Sequence, residues 1–563
     1  MALSAPHKAL KAHSFPQQPH PDSPLSNGET ISRSILTGYK NTTPYPSKLF
    51  NSFFTHYIIY SITTMTQTLQ NKLSNSKKAR WTALLLVSVT MMLGYFFTDV
   101  MSPLEPLLTE ARGLTEAQGG TGFGLGWTSD EYGFFSGAYG YFNVFLLLLF
   151  FGGVILDKFG IRFTGIMSTI LMFLGAILKW YAVSHNFEGT INVPFFGEYQ
   201  TQVVLAATGF AIYGVGCEIA GVTVTKILVK WFTGHELALA MGLQVALARI
   251  GTACTLAYSL PFAMGKHIEY VDTHSVGDFF ANINAGIING LTSLKDFLGL
   301  SSGVQASVAL GAAMLCIGMI AYLVYCVMDK KEDASAAAIQ AENEEGFKFS
   351  DLKILFCNRG FWYIAVLCLM FYAGVYPFLK FATKLMVMKY SVPESTAGLI
   401  PAMLPFGTIF LTPIFGSIYD KFGKGATLML IGSVLLTIVH VTLALPLNSW
   451  IIAIIAMTVL GIAFGLVPSA MWPSVPKIIP MEYLGTAYAL IFYIQNIGLA
   501  LVPVWIGKVN QANTMTDGKT IDYTESMTIF AFFGVVAIII SFLLIFEDKR
   551  KKYGLEKPNI ERN

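Results

Sequence analysis

Apolar residues gather along this chain in twelve long runs separated by polar connections, the first starting near residue 81 and the last ending near 546. Each run approaches or exceeds the roughly 20 predominantly apolar residues that an α-helix needs to cross a bilayer, so each predicts a spanning helix. In the first half the runs cover 81–104, 130–156, 161–184, 200–228, 236–263 and 303–328. In the second half they cover 359–386, 395–419, 426–446, 450–475, 484–507 and 525–546. Basic residues collect at alternate connections. Lys77, Lys78 and Arg80 precede the first run, Lys158 and Arg162 follow the second, and Lys226 and Lys230 end the fourth. Lys330 and Lys331 follow the sixth, Lys421 and Lys424 the eighth, and Lys549 to Lys552 the twelfth. Lys and Arg concentrate on the cytoplasmic side of spanning helices, which predicts that these connections and both termini are cytoplasmic.

The polar stretch Asp329–Asn358, with DKKEDASAAAIQAENEEGF, divides six runs from six. An internal repeat agrees with that division: Gly153-Val-Ile-Leu-Asp157-Lys158-Phe-Gly160 returns as Gly416-Ser-Ile-Tyr-Asp420-Lys421-Phe-Gly423, each time after the second helix of its half. Equivalent elements at equivalent places predict two related six-helix bundles. The fold class is all-α integral membrane, twelve helices in two pseudo-symmetric bundles. The expected organisation is a disordered N-terminal extension (1–76), a first bundle (77–328), a central cytoplasmic loop (329–358), a second bundle (359–546) and a basic cytoplasmic tail (547–563). Within the repeat the glycine would let helices pack closely. The aspartate would accept from backbone N–H groups at a neighbouring helix start, and Arg162 and Lys424 would pair across the cytoplasmic seam. Such a latch would hold the outward-open state and break as the protein opens inward.

Composition narrows the class. Of 563 residues, 54% are hydrophobic and 13% charged, with a mean hydropathy of +0.56, which places most of the chain in a membrane. A net charge of +3, with its basic residues confined to short clusters, gives nucleic-acid binding no support. Cys217, Cys254, Cys316, Cys326, Cys357 and Cys368 lie in or beside apolar runs without CxxC or Cys/His spacing, so they read as small hydrophobes, with neither disulfides nor a metal site. Gly214-Val-Gly216 with Gly221 lacks the strand and acidic partner of a dinucleotide fingerprint, and no GxxxxGK[ST] loop exists. No cofactor and no enzymatic activity are therefore expected. Residues 1–76 are polar and rich in Pro and Ser; their one apolar patch, LFNSFFTHYIIYSITTM, is too short to span and precedes no convincing cleavage site. Met65 reads as an ordinary start, leaving the residues before it as an extension or an over-extended reading frame.

The repeated G-x-x-x-D-K-x-G loop, the 6+6 division and the long central loop resemble the major facilitator superfamily. Three longer stretches narrow that resemblance: WFTGHELALAMGLQVALARIGT (Trp231–Thr252), GVYPFLKFATK (Gly374–Lys384) and AMWPSVPKIIPMEYLGTAYALIFYIQNIGLAL (Ala470–Leu501). They look like the branch of major facilitator superfamily domain-containing protein 1, the lysosomal dipeptide transporter, and its bacterial relatives. Facilitated diffusion, that is uniport, is what this resemblance implies. The tail carries no acidic dileucine sorting signal, which favours the cytoplasmic membrane of a bacterium over a lysosome.

Two charges stand alone in apolar runs: Glu218 in IYGVGCEIAGVTV and Arg249 in ALARIGTAC. Counted along their helices, both approach the bilayer midplane, where carriers of this architecture bind substrate. A charge at that depth costs at least roughly 2.5 to 3.5 kcal/mol, so each requires a water-filled cavity or a partner. A zwitterionic ligand would satisfy both, its amine at the carboxylate and its carboxylate at the guanidinium. The family resemblance implies the same roles, Glu218 for the amino end of a dipeptide and Arg249 for its carboxyl end. A purely structural Glu218–Arg249 salt bridge is the competing expectation.

Further cavity candidates are Tyr95 and Asp99 in the first helix and Tyr139, Tyr141 and Asn143 in the second. Later helices add Tyr376, Lys380, Trp472, Gln495 and Asn496. Aromatic walls with a few amides suit a peptide. Pro377, Pro401, Pro405, Pro473 and Pro476 mark expected bends, and His440 reads as a structurally satisfied histidine. The leading expectation is dipeptide transport by alternating access, with the lipid bilayer as surroundings. A monomer and an accessory membrane subunit both fit the pattern. A carrier of nitrate or organic acids, using Arg249 and Lys380 as anion ligands, is the alternative, and a peptide-sensing receptor is a third class.

Overall fold

The structure, a computed structural model, describes residues 73–558 apart from 119, 233–234, 337–350, 481–482 and 516–519. Residues 1–72 of the expected N-terminal extension, Met65 among them, and the middle of the central loop lie outside the described residues, while Leu73–Asn75 form a helical turn whose Ser74 amide donates to Glu332 (2.9 Å). Numbering only the spanning helices, the first half comprises α1 (Lys77–Asp99), α2 (Ser129–Phe145, continued by Leu148–Leu156) and α3 (Lys158–Ser184), then α4 (Thr201–Phe232), α5 (Leu237–Met264) and α6 (Val304–Ala336). The second half comprises α7 (Arg359–Tyr390), α8 (Leu399–Phe422), α9 (Gly425–Ala444), α10 (Trp450–Ile478), α11 (Leu484–Ala512) and α12 (Thr524–Lys551). Among the described residues eleven helices are long and apolar enough to cross a membrane, or twelve if the bent α2 pair is one span. The end that carries the repeated loops is called the basic end below, and the opposite one the far end.

The repeat is structural as well as sequential. Gly160 and Gly423 occupy its equivalent positions, and both adopt positive φ (76° and 69°), which lets the chain turn out of one helix and into the next. Gly153 and Gly416 behave otherwise than expected. A Cβ on either would meet nothing within 4 Å, so neither serves close packing in this conformation.

Two close crossings place the charged residues. A Cβ on Gly214 of α4 would stand 2.1 Å from the Tyr139 carbonyl oxygen, and one on Gly251 of α5 would stand 2.1 Å from that of Met92. Real Cβ atoms do not come so near, so only glycine brings α4 against α2 and α5 against α1 at this spacing. Glu218 lies one turn beyond Gly214, and Arg249 lies two residues before Gly251.

The far end is closed between the halves. Gly133 of α2 faces the Gly507 backbone of α11, with Cβ-to-Cα separation of 2.7 Å if a side chain were added, and Gly137 would put a Cβ 2.2 Å from the Ala500 carbonyl. Gly398 before α8 meets the Leu256 carbonyl of α5 in the same way, at 2.1 Å. The Ser129 amide donates to Gln511 Oε1 (2.9 Å), and the Tyr132 hydroxyl donates to the Lys380 carbonyl (2.6 Å). On the basic halves of α5, α8 and α11, Gly242, Gly416 and Gly485 have open space where a Cβ would go. Helices that touch backbone to backbone at the far end have no such contact at these positions.

Four features depart from the expected outline. The second helix is not straight: it bends by 57° after Phe145, where Leu147 takes a left-handed conformation and the Tyr493 hydroxyl donates to the Val144 carbonyl (3.2 Å). That bond from α11 satisfies an acceptor freed by the break. Between α5 and α6 runs an amphipathic helix, Val276–Phe297, opened by a Ser275/Asp278 capping box and exposing Phe280, Ile283, Ile287 and Phe297. Between α3 and α4 a two-stranded hairpin pairs Thr190–Val193 with Gly197–Gln200. Finally, the expected basic tail is not free. After Lys551 the chain turns back, Leu555 is fully buried, and the Glu556 carboxylate accepts from the Thr427 amide and hydroxyl (2.9 Å each), capping the first turn of α9.

The far-end contact yields a test. Gly137→Val forces α2 away from Ala500, so a cysteine at Ser129→Cys, buried beneath the seam, is expected to label several-fold faster with a membrane-impermeant maleimide applied from the far side. An unchanged rate would show that this contact does not hold the far end shut.

Candidate functional site

Glu218 and Arg249 stand 14 residues from the Phe232 end of α4 and 12 residues from the Leu237 end of α5. At about 1.5 Å per residue, both are roughly 20 Å in from the basic end. Among the described residues no ion pair joins them. Glu218 instead accepts from the Tyr139 hydroxyl at 2.8 Å. Arg249 lies over three aromatic rings, with its guanidinium carbon 6.0 Å from the Tyr95 centroid, 5.6 Å from Tyr376 and 5.3 Å from Phe464. Tyr95 and Tyr376 are each within electrostatic reach of both charges, so the aromatic groups lie between or beside them.

Magnitudes show how far each charge is satisfied by its neighbours. One hydrogen bond to a charged group contributes about 1.5 to 3 kcal/mol, and each cation–π contact roughly 0.5 to 2 kcal/mol. The single bond on Glu218 only approaches the cost of holding a charge at this depth, at least roughly 2.5 to 3.5 kcal/mol, whereas three ring contacts, together roughly 1.5 to 6 kcal/mol, are of the size needed for Arg249. Capacity is left over on both sides: a carboxylate offers about four acceptor positions and a guanidinium five donors. The structural salt bridge that would have consumed that capacity is not formed.

The remaining candidates separate into groups. Tyr95, Tyr139 and Tyr376 join the charged centre. Tyr376 stacks on Tyr372 (centroids 5.6 Å apart) and meets Phe464 edge-on (5.5 Å). Trp472 closes the same wall, donating to the Tyr372 hydroxyl (3.2 Å) and stacking on Phe492 (4.8 Å). Gln495 accepts from the Cys368 thiol (3.5 Å), while Asn496 donates to the Phe492 carbonyl (3.0 Å) and leaves its own oxygen unpartnered. Asn143 is fully buried, and neither of its amide atoms finds a hydrogen-bond partner among the described residues. Tyr141 leaves the group: its hydroxyl donates to the Phe134 carbonyl (2.8 Å), and its ring packs on Phe196 (5.0 Å). His440 bonds the Gly374 carbonyl (2.8 Å) between Phe378 and Phe530, a structural role.

Asp99 and Lys380, expected as cavity ligands, satisfy each other instead. Their charged atoms are 2.6 Å apart across the seam between the halves, both nearly buried. Lys384, one turn further along α7, faces the fully buried Glu105 at 3.8 Å. These two pairs form a polar layer on the far side of the charged centre.

At the basic end Arg162 does not pair across the seam. It reaches Asp333 (2.9 Å) and Asp329 (3.4 Å), which Lys230 also contacts at 2.8 and 2.6 Å, so the network ties α3, α4 and α6 within one half. Lys424 meets Glu556 of the folded-back tail (3.7 Å), again within its own half. Lys158 lies over the Phe159 ring (5.5 Å), Asp420 and Lys421 end α8, and the Asp157 side chain lies outside the described residues. No group of three or more His, Cys, Asp or Glu among the described residues could hold a metal, and all six cysteines are free.

Some of the site was not foreseen. Phe464 sits in a helix whose central turns are apolar all round, and Tyr372 in the apolar first half of α7, where no periodicity distinguishes a cavity face from a lipid face. Glu105 and Lys179 carried the same signal as Glu218, a lone charge in an apolar run, and could have been found by it.

Two related halves of six spanning helices, closed at one end around a polar centre, define a secondary carrier. Residues 277–503 match the sequence profile of the Major Facilitator Superfamily. The chain is similar to that superfamily of transporters over this stretch, and alternating access is what that fold implies. It is 27% identical over 368 residues to the lysosomal dipeptide transporter MFSD1 of Homo sapiens, covering 65% of this chain and 69% of that protein. It is 23% identical over 393 residues to the probable nitrate transporter NarT of Staphylococcus aureus (strain MRSA252), covering 69% and 80%. Its fold matches a bacterial homologue of the human lysosomal transporter Spinster with a TM-score of 0.59, at 14% identity, over 83% of this chain and 97% of that one.

The Tyr139 contact makes its own prediction. Tyr139→Phe strips Glu218 of its hydroxyl partner, and the expected loss is about 1 to 3 kcal/mol, read as a lower melting temperature in detergent. A variant that melts with the native protein would show that the carboxylate does not depend on Tyr139.

Proposed function

We propose that this protein carries dipeptides through the membrane as a uniporter, with Glu218 holding the peptide amino end and Arg249 its carboxyl end. The observation that supports this most is a pair of opposite charges that do not pair with each other, one held by the Tyr139 hydroxyl and the other by three aromatic rings. Recognition confined to the two ends leaves the side chains of the peptide loosely specified. The similarity to MFSD1, a lysosomal dipeptide transporter by name, supports the same substrate class. In this reading the basic end is cytoplasmic, with both termini inside, and the membrane is the cytoplasmic membrane of a bacterium.

The second reading, a small-anion carrier, draws support from the similarity to NarT. It needs Lys380 as a ligand, and in this conformation that ammonium is held by Asp99 at 2.6 Å.

Uptake into proteoliposomes containing the purified chain separates the two. Dipeptide flux is expected to fall at least about tenfold in Glu218→Gln and in Arg249→Met, as loss of a charged hydrogen bond implies. Peptides acetylated at one end or amidated at the other should not compete. Flux that persists when an ionophore collapses the proton gradient supports uniport. Nitrate flux that survives Glu218→Gln, with no dipeptide flux in the native protein, would replace the first reading with the second.

A further inference from the structure

Lys179, in the middle of the LGAILKWYAV stretch of α3, is fully buried, and its ammonium has no hydrogen-bond partner among the described residues. Among the described residues it is held by rings: Phe97 of α1 and Phe210 of α4 have centroids 4.3 Å from the nitrogen, and Phe135 of α2 is 5.6 Å away. The charged groups that act on it are Asp99 and Lys380. Lys380 flanks the same Phe210 ring, 5.7 Å from its centroid. Two ammonium groups therefore share one neighbourhood with one carboxylate, and Lys380 has it.

The division between halves gives that sharing a direction. Asp99, Lys179 and all three rings belong to α1–α4 and travel together, whereas Lys380 belongs to α7 in the other half. Opening the far end separates the halves at this layer, and the Asp99–Lys380 pair lies on the line of separation. A carboxylate stripped of its partner is costly in such surroundings, and so is the ammonium that was unpaired from the outset. Exchange relieves both at once.

We propose that Lys179 is the alternate partner of Asp99, a positioning residue that takes the carboxylate when Lys380 withdraws and so favours the far-open state. In the far-closed state Lys179 is stranded against its rings, which raises the energy of that state. In the far-open state it is paired, which lowers the energy of the other. Removing it acts on both and biases the protein towards closure at the far end. The proposal rests on alternating access and not on the identity of the substrate.

The test uses the full chain in proteoliposomes without any substrate, so that its failure is distinct from failure of the dipeptide reading. Labelling of Ser129→Cys by a membrane-impermeant maleimide from the far side is followed by mass spectrometry of the modified peptide. Lys179→Met is expected to slow labelling about tenfold or more, while Lys179→Arg, which keeps the charge, labels close to the native rate. In an Asp99→Asn background the effect of Lys179→Met should vanish, because there is no carboxylate left to exchange. Lys179→Met is also expected to melt no lower than the native protein, since it removes a stranded charge. Labelling of Lys179→Met at or above the native rate, or an equal loss in the Asp99→Asn background, would overturn the proposal.

Discussion

Two opposite charges deep among the spanning helices are kept from neutralising each other, and much of the surrounding structure serves that separation. Glu218 is held by a tyrosine hydroxyl and Arg249 by ring faces, so each charge is made tolerable without being used up. Backbone crossings at Gly214 and Gly251 hold the two helices against α2 and α1, where larger residues would not fit. Had the same residues met as a salt bridge, the low dielectric would have made the pair hard to break, and no ligand could have competed for either end.

Around that centre the polar contacts are sorted by whether they cross between the halves. The Asp99–Lys380 and Glu105–Lys384 pairs, the Ser129–Gln511 bond and the glycine contacts of α2 with α11 join the halves at the far end. The Arg162 and Lys230 network and the Glu556 cap on α9 bind helices within a half. Contacts of the second kind survive a rocking motion, and contacts of the first kind must break in it. A carrier needs both: rigid halves, and a seam whose bonds can be exchanged. The repeated basic loops fall on the rigid side of this division in the present conformation, which is why their charges pair inward.

What could be read from the chain alone follows the physics of lipid. Spanning helices announce themselves because every backbone polar group must be satisfied within the segment, and the repeat at Gly160 and Gly423 shows because both positions require positive φ. Isolated charges such as Glu218 and Arg249 are legible for the same reason. The break in α2 was not, since FNVFLLLLF contains neither glycine nor proline and the bond that accommodates it comes from Tyr493, more than 300 residues away. Pairing was equally hidden: Asp99 and Lys380 looked like ligands because sequence spacing says nothing about which charges meet across a seam. The docked tail depends on Leu555 and Glu556 finding α9, a tertiary event with no local signature. The amphipathic helix at Val276–Phe297 did carry its capping box and apolar stripe in plain view.

The most direct measurement is an experimental structure of the purified protein with a simple dipeptide such as Ala-Ala bound. Density that spans the space between the Glu218 carboxylate and the Arg249 guanidinium, amine at one and carboxylate at the other, is the outcome this account requires. Density elsewhere with those two residues unoccupied, or the two collapsed onto each other in a dry pair beside a peptide that touches neither, would contradict it.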